Sequence, residues 1–242
     1  MTNTIIEKAT LTNNRLDEKT HQSHWISKEV YFQSFTALNQ EEIKLVFQWR
    51  NHPDIKKWMF TKTSITIDNH LKFISNLIHQ KESYYWLVKD REKELGVVSL
   101  AKDKLFGTKW GFYLNPDYFG SGYAVDLIHH ALYFFFKKIG LQQLNGFVNC
   151  YNVNSILLHH LFGIRHILYT YRRNKNQKEC YSLRHITASQ WQQQDNDIKE
   201  MKQKIIVNKK AIQNYKKVVL TELEYLQENN VSPNNENSML II

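Results

Sequence analysis

Cysteine is scarce in this 242-residue chain. Cys150 and Cys180 are the only two, too few for a disulfide framework and at no metal-ligand spacing. That scarcity predicts a reduced protein, and nothing in it calls for a metal. Long apolar runs are missing as well: no uninterrupted hydrophobic stretch approaches the roughly 20 residues that a membrane span needs. Residues 1–20 are polar and charged, without the apolar stretch of a secretory leader. Nucleic-acid signatures are lacking too, with no zinc-finger spacing, RNP aromatic pattern or basic heptad region. No internal repeat is visible. The expectation is a cytoplasmic protein that binds neither membrane nor nucleic acid.

What the chain does have is aromatic bulk and positive charge. Phe, Tyr and Trp make up 13% of it, so the core is bulky rather than aliphatic. The formal net charge is +9. From residue 186 to the end, seven lysines balance seven acidic residues, so the whole excess sits in the first 185 residues. Arg165, Arg172, Arg173, Lys175, Lys178 and Arg184 against Glu179 concentrate positive charge near the end of that part. Without a nucleic-acid motif, a phosphorylated small molecule is the preferred counterpart; a plain solvated face is the alternative.

The pattern of apolar residues predicts a mixed α/β domain over 30–185, with a mostly antiparallel sheet flanked by helices. Residues 1–29 are polar and aperiodic, which reads as a disordered arm. A first strand is expected over Val30–Ala37 and a helix over Gln40–Arg50, stopped by Asn51-His52-Pro53. A short segment spans Asp54–Phe60, and Asp68 caps a second helix. Strands at Tyr84–Lys89, Leu95–Ala101 and Lys109–Leu114 form a meander. A helix over Val125–Lys138, a strand over Leu144–Asn149 and a helix over Asn154–Phe162 follow. A hairpin then joins Arg165–Tyr171 to Glu179–Arg184. Beyond it, Ile198, Met201, Ile205, Ile212, Tyr215, Val219 and Leu226 fall at 3-4 spacing, an amphipathic helix over 186–228. That helix either pairs with a second copy through 198–226 or packs on its own domain. Residues 229–242 read as a disordered tail.

The segment richest in chemical meaning is Asn115-Pro116-Asp117-Tyr118-Phe119-Gly120-Ser121-Gly122-Tyr123-Ala124, between a strand and a helix. Backbone N–H groups at such a turn converge on one point, and the helix dipole favours an anion there. Gly120 and Gly122 permit close approach and unusual backbone angles. An ordinary strand-to-helix connection is the competing reading.

This strand–turn–helix, followed by a strand and Asn152-Val153-Asn154-Ser155, resembles the GNAT superfamily of acetyl-CoA-dependent N-acetyltransferases. The family turn runs Gln/Arg-x-x-Gly-x-Gly/Ala, and this chain departs from it at Phe119. Further blocks narrow the resemblance: Trp49-Arg50-Asn51-His52-Pro53, Lys57-Trp58-Met59, His70 with Phe73-Ile74, Leu95-Gly96-Val97-Val98-Ser99, and Phe112-Tyr113-Leu114-Asn115-Pro116. They are similar to the N-acetyltransferases of pseudaminic acid biosynthesis, which acetylate the 4-amino group of a UDP-linked 4-amino-4,6-dideoxy sugar for flagellar or surface glycans. The resemblance covers Val30 to Arg184.

Carried over by position, the resemblance implies that Leu114, Phe119, Gly120, Ser121, Gly122, Tyr123, Ala124 and Asn152 bind acetyl-CoA. It implies that Arg50, His70, Lys102 and Tyr113 contact the nucleotide sugar, and it calls for no metal. Arg50 and Lys102 suit diphosphate oxygens; Tyr113 and His70 can stack or hydrogen-bond. Ala101 stands where the family has Thr. Amide formation needs a neutral amine, a polarised thioester oxygen and a proton for the leaving thiolate. A backbone N–H of the strand that holds Leu114 would polarise the oxygen.

Where the family places a Tyr acid, this chain has His159. At its ordinary pKa of about 6.5 an imidazole is protonated roughly a quarter of the time at neutral pH, so His159 is expected either to act as the acid or to pack in the core. Phe147 replaces the family's Glu, which leaves His70, or a water held by Ser99, as base. Two alternatives stay open at this point: a GNAT enzyme acting on a polyamine or a protein N-terminus, and a degenerate GNAT-fold protein kept for binding.

Overall fold

The computed structural model describes residues 21–174, 177–193, 200 and 239–241. They divide into two compact units, the first running to residue 142 and the second from 143 onward. The stretch 30–185 spans both units. The heptad-spaced segment 198–226, apart from Glu200, lies outside the described residues, as does most of the tail. Among the described residues no helix is long and apolar enough to cross a membrane, and no cluster of ligands suits a metal ion.

The first unit is an antiparallel sheet covered by helices. Its strands are β1 (His24–Trp25), β2 (Val30–Ser34), β3 (Ser83–Asp90), β4 (Lys93–Asp103) and β5 (Gly107–Leu114), paired in that order. In β2 the buried residues are Val30, Phe32 and Ser34, the period of two that a half-buried strand requires. The expected arm over 1–29 is corrected from residue 21 onward. His21 Nε2 lies 2.5 Å from the Gln80 carbonyl, and the buried Trp86 indole donates to the Gln22 carbonyl at 3.2 Å. A buried indole N–H needs an acceptor, and this polar stretch supplies one.

Between β2 and β3 lie α1 (Gln40–Asn51), α2 (Pro53–Lys56) and α3 (Ile67–Leu77). Asn39 and Glu42 form a capping box at the start of α1, satisfying two of its orphan N–H groups. The second helix starts at Ile67, and its cap is Thr66, where the sequence pointed to Asp68. Val46 and Trp49 of α1 and Ile74 and Leu77 of α3 pack with Leu87 and Val97 of the sheet as one core cluster.

The helix after β5, α4 (Tyr123–Tyr133), runs into a wide π-type turn over Phe134–Lys138. Three consecutive phenylalanines, Phe134 to Phe136, are thereby all buried. Phe134 lies against Phe32 at 4.2 Å between ring centroids and edge-on to Trp86 at 5.1 Å. Gly96 is where β4, β5 and α4 come closest. A Cβ there would stand 2.3 Å from the Tyr113 carbonyl oxygen and 2.9 Å from Leu127 Cδ2.

The second unit holds β6 (Gln143–Asn149), α5 (Val153–Leu161), β7 (Arg165–Asn174), β8 (Gln177–Thr187) and α6 (Ala188–Gln192). β8 pairs antiparallel with both β6 and β7, so the expected terminal hairpin is present. Part of the tail expected as disordered is instead a strand, β9 (Met239–Ile241), parallel to β7. The exposed edge of β7 offers the backbone partners that the tail's own composition does not reveal.

The expectation of free thiols is also corrected. Asn149 pairs with Tyr181, so the next residues, Cys150 and Cys180, face each other. The Cys150 N–H donates to the Cys180 carbonyl at 3.0 Å. The two are joined as a disulfide, with Cα atoms 5.6 Å apart and a sequence separation of 30.

The packing at Gly96 generates a stability prediction. Gly96→Ala forces strand and helix apart, and overpacking of this kind costs about 1–3 kcal/mol. Urea unfolding of the variant should give a lower midpoint with an unchanged slope.

Candidate active site

The turn after β5 is built by side chains that fold back on their own backbone. Asn115 donates through Nδ2 to the Glu94 carbonyl at 3.0 Å, its N–H donates to the Leu95 carbonyl at 2.8 Å, and its Oδ1 accepts from the Asp117 N–H at 3.0 Å. The start of the turn is therefore tied to β4. Ser121 Oγ donates to the Tyr118 carbonyl at 2.6 Å. Gly120 and Gly122 adopt φ of 78° and 90°, a region that disfavours side chains. Gly122 is the N-cap of α4 and offers no side chain to the first-turn N–H groups. Added Cβ atoms at Gly120 and Gly122 would meet nothing within 4 Å, so the ground beside the backbone is open. Ser121 Oγ accepts only a long 3.4 Å bond from the Tyr123 N–H, and the approach to this helix start is open, as an anion site requires. Phe119 is 44% exposed and its ring lies edge-on to His52 at 5.9 Å, so the departure from the family's Gln or Arg leaves the backbone cradle intact.

A second constellation lies on the sheet face beneath α1 and α3. Val97 pairs with both Leu87 and Tyr113, and Ser99 with both Tyr85 and Gly111, so Tyr85, Ser99 and Tyr113 share that face. Arg50, from the last turn of α1, and His70, from α3, join it electrostatically. Burial lowers the Arg50 pKa, opposed by Tyr113 and Tyr85; a guanidinium remains charged regardless. Burial pushes both phenols up, so Tyr85 and Tyr113 are protonated donors. Burial and then Arg50 push the imidazole of His70 down, with a bond to the Ile43 backbone in opposition.

His70 is therefore neutral at physiological pH. It is 3% exposed, and its Nε2 has no hydrogen-bond partner among the described residues; nor does Arg50 Nη1. Two buried polar atoms on neighbouring side chains thus await a partner, a costly arrangement in the free protein. Phe47 and Phe73 flank the His70 ring at 5.6 and 6.5 Å, and Phe73 meets Tyr85 edge-on at 5.1 Å. Lys102 sits further along β4, opposite Thr108 at the hairpin end. Tyr85 was missed in the sequence; its spacing of two from Leu87 is the signal that places it on this face.

In the second unit Asn152 is the N-cap of α5, its Oδ1 accepting from the Ser155 N–H at 3.3 Å, so the helix starts one residue before the expected Asn154. Phe147 lies in β6, opposite Leu183. His159 is 2% exposed, and burial followed by the neighbouring Arg184 lowers its pKa to about 3. Of the two expectations for this position, acid or core packing, a ring held neutral in the physiological range fits the packing role better. Arg184 donates to the Ile164 carbonyl at 3.5 Å, and it also depresses His166, to about 4 after burial.

A family model described as an acetyltransferase (GNAT) domain matches residues 34–165. The chain belongs to the GNAT acetyltransferase family. Among curated GNAT relatives it is 34% identical to acetyltransferase PseH of Campylobacter jejuni serotype O:2 over 119 residues, 49% of this chain and 74% of the relative. Among solved structures, the spermidine N-acetyltransferase of Vibrio cholerae in complex with CoA and spermine superposes with a TM-score of 0.59 at 17% identity. That match covers 69% of this chain and 99% of the other. The C. jejuni PseH structure in complex with acetyl coenzyme A gives a TM-score of 0.48 at 21% identity, over 65% and 98%. The shared fold is the mixed, mostly antiparallel GNAT architecture. As a GNAT enzyme the chain is an acetyl-CoA-dependent N-acetyltransferase.

The buried histidines set a direction for pH dependence. The ordinary histidine value is 6.5, and folded His159 takes up a proton only near 3. Between those values the unfolded chain holds more protons, so this contribution to stability is complete above pH 6.5 and is lost as pH falls towards 3. His166 acts in the same direction, its window ending near 4. Denaturant titrations at pH 7.5 and 5 should show the wild type losing more stability on acidification than His159→Gln.

Proposed function

We propose that this GNAT enzyme transfers acetyl from acetyl-CoA to the 4-amino group of a UDP-linked 4-amino-4,6-dideoxy sugar. The step belongs to a pseudaminic acid type pathway for flagellar or surface glycans. The observation that carries the reading is the pairing of a permanently charged, half-buried Arg50 with His70 on an aromatic face, each with a polar atom awaiting a partner. A diphosphate supplies acceptor oxygens to Arg50, and a sugar ring supplies flat apolar surface to Tyr113 and Tyr85. Likeness to PseH, at 34% identity over most of that relative's length, supports the same reading.

In this reading bound acetyl-CoA supplies the acetyl group as a thioester. The backbone of Gly120 to Ala124 holds its pyrophosphate, Asn152 lies along the pantetheine arm, and a backbone N–H near Leu114 faces the thioester oxygen. Lys102 alternates to the other face of β4 from Ser99 and so is left out of the acceptor contacts in this reading. His70 is the candidate base. The Ile43 backbone occupies one ring nitrogen, the depressed pKa keeps the ring neutral, and Nε2 remains to accept the amine's proton. Ser99, on the same face as Tyr85, is the residue we assign to hold a water for that transfer. The neutral, buried His159 takes no proton-transfer role; its place in this scheme is to pack α5. The reaction draws on acetyl-CoA and a nucleotide sugar, and we assign it to the cytoplasm.

A polyamine acceptor is the second reading, prompted by the fold shared with a spermidine N-acetyltransferase. The charge of Arg50 opposes it, because a polycation gains nothing beside a guanidinium.

Thiol release from acetyl-CoA by purified protein, with the UDP-amino sugar and spermidine as parallel acceptors, separates the two. Release with the sugar alone is expected, and Arg50→Ala should raise the sugar KM at least about tenfold, as loss of a charge-assisted bond implies. Release with spermidine alone overturns the nucleotide-sugar reading.

A further inference from the structure

The loop between α2 and α3 is held by polar bonds rather than by burial. Every residue from Phe60 to Ser64 is exposed. Arg50 Nη2 donates to the Thr61 carbonyl at 2.7 Å, and Lys56 Nζ donates to Ser64 Oγ at 2.8 Å. Asn51 makes the firmest attachment, since its one amide group bonds the Ile65 backbone twice. Nδ2 donates to the Ile65 carbonyl at 3.0 Å, and Oδ1 accepts from the Ile65 N–H at 2.9 Å. Such a reciprocal pair needs a donor and an acceptor on one short side chain. Asp lacks the donor, and Gln is longer by a methylene.

Arg50 therefore faces two ways. Its Nη2 is committed to the loop, while its buried Nη1 has no partner among the described residues. Where Nη1 points depends on where the Thr61 carbonyl stands, and the loop that carries Thr61 is fixed at its far end by Asn51. We propose that Asn51 is a positioning residue for the acceptor, acting through Arg50. It holds the Thr61 carbonyl so that Nη1 is presented to the acceptor's phosphate oxygens. The proposal rests on the nucleotide-sugar reading above. It adds a residue that touches neither substrate yet sets the affinity for one of them.

The prediction separates the two substrates. Asn51→Ala should raise the KM for the UDP-amino sugar about fivefold to tenfold, the effect of losing two hydrogen bonds that fix a loop. kcat and the KM for acetyl-CoA should stay within about twofold, because neither depends on Arg50 orientation. In an Arg50→Ala background the same substitution should add almost nothing, since residues acting through one another are not additive. Equal changes for both substrates, or a full additional effect in the Arg50→Ala background, overturn the proposal.

Hydrogen exchange of residues 60–66 in the unliganded protein supplies a readout that requires no acceptor. Faster exchange in Asn51→Ala with an unchanged thermal midpoint supports the anchoring; unaltered exchange rejects it. If the wild type leaves the sugar unacetylated while exchange still quickens in the variant, the nucleotide-sugar reading fails and the anchoring stands. Titration with UDP alone then decides the acceptor half. Weaker UDP binding in Asn51→Ala supports presentation of a phosphate ligand by Arg50, and equal binding refutes it.

Discussion

The contact at Gly96 sets how closely β5 and α4 can approach β4. With hydrogen in place of a methyl group, the Tyr113 carbonyl and the Leu127 side chain can both reach β4. That approach seats α4 against the end of β5, and the turn between them is then short enough for Asn115 to bond back to Glu94 and Leu95. The start of α4 is therefore located by strand packing, without the capping side chain that a helix usually recruits.

The opposite face of the same sheet places charge in an apolar setting. Arg50 and His70 come from two different helices and meet because Val46, Trp49, Ile74 and Leu77 pack those helices on Leu87 and Val97. The aliphatic and aromatic core thus fixes the distance between a cation and a neutral imidazole. It also sets their states, since burial is the largest cause of both shifts. Glu42 shows the converse. Burial alone would raise its carboxyl, yet Lys89, the Asn39 backbone and Gln33 together hold it below the ordinary value. The same helix begins with an ion pair that is satisfied and ends with a guanidinium that is not.

Local pattern made much of this legible. The first strand, the order of the meander and the stop at Asn51-His52-Pro53 are read from neighbours in sequence, although the first strand ends at Ser34 rather than Ala37 and the meander strands run longer than expected. The glycine turn was visible for the same reason, because the demand for positive φ falls on individual residues. What escaped depends on partners far along the chain. Cys150 and Cys180 face each other only through the register of β6 with β8. His159 has an unremarkable pKa in sequence and one near 3 once buried beside Arg184. Tyr85 shares a face with Leu87 by its spacing of two, but that this face is the one under Arg50 follows only from the pairing of β3 with β4. The reach of residues 21 and 22 back to Gln80 and Trp86 was hidden by their polar composition.

The wide turn at the end of α4 bears on how this chain is compared with others. Ile139 N–H reaches back five residues to the Phe134 carbonyl, so one more residue is accommodated there than an α-turn holds. Removal of that single residue would leave an uninterrupted helix leading to the same following strand. An alignment gap there then falls among buried phenylalanines in the middle of a helical segment. Comparisons that forbid gaps inside helices will shift one side of the turn by a residue. Such a shift changes which aromatic side chain is matched to the position facing Trp86.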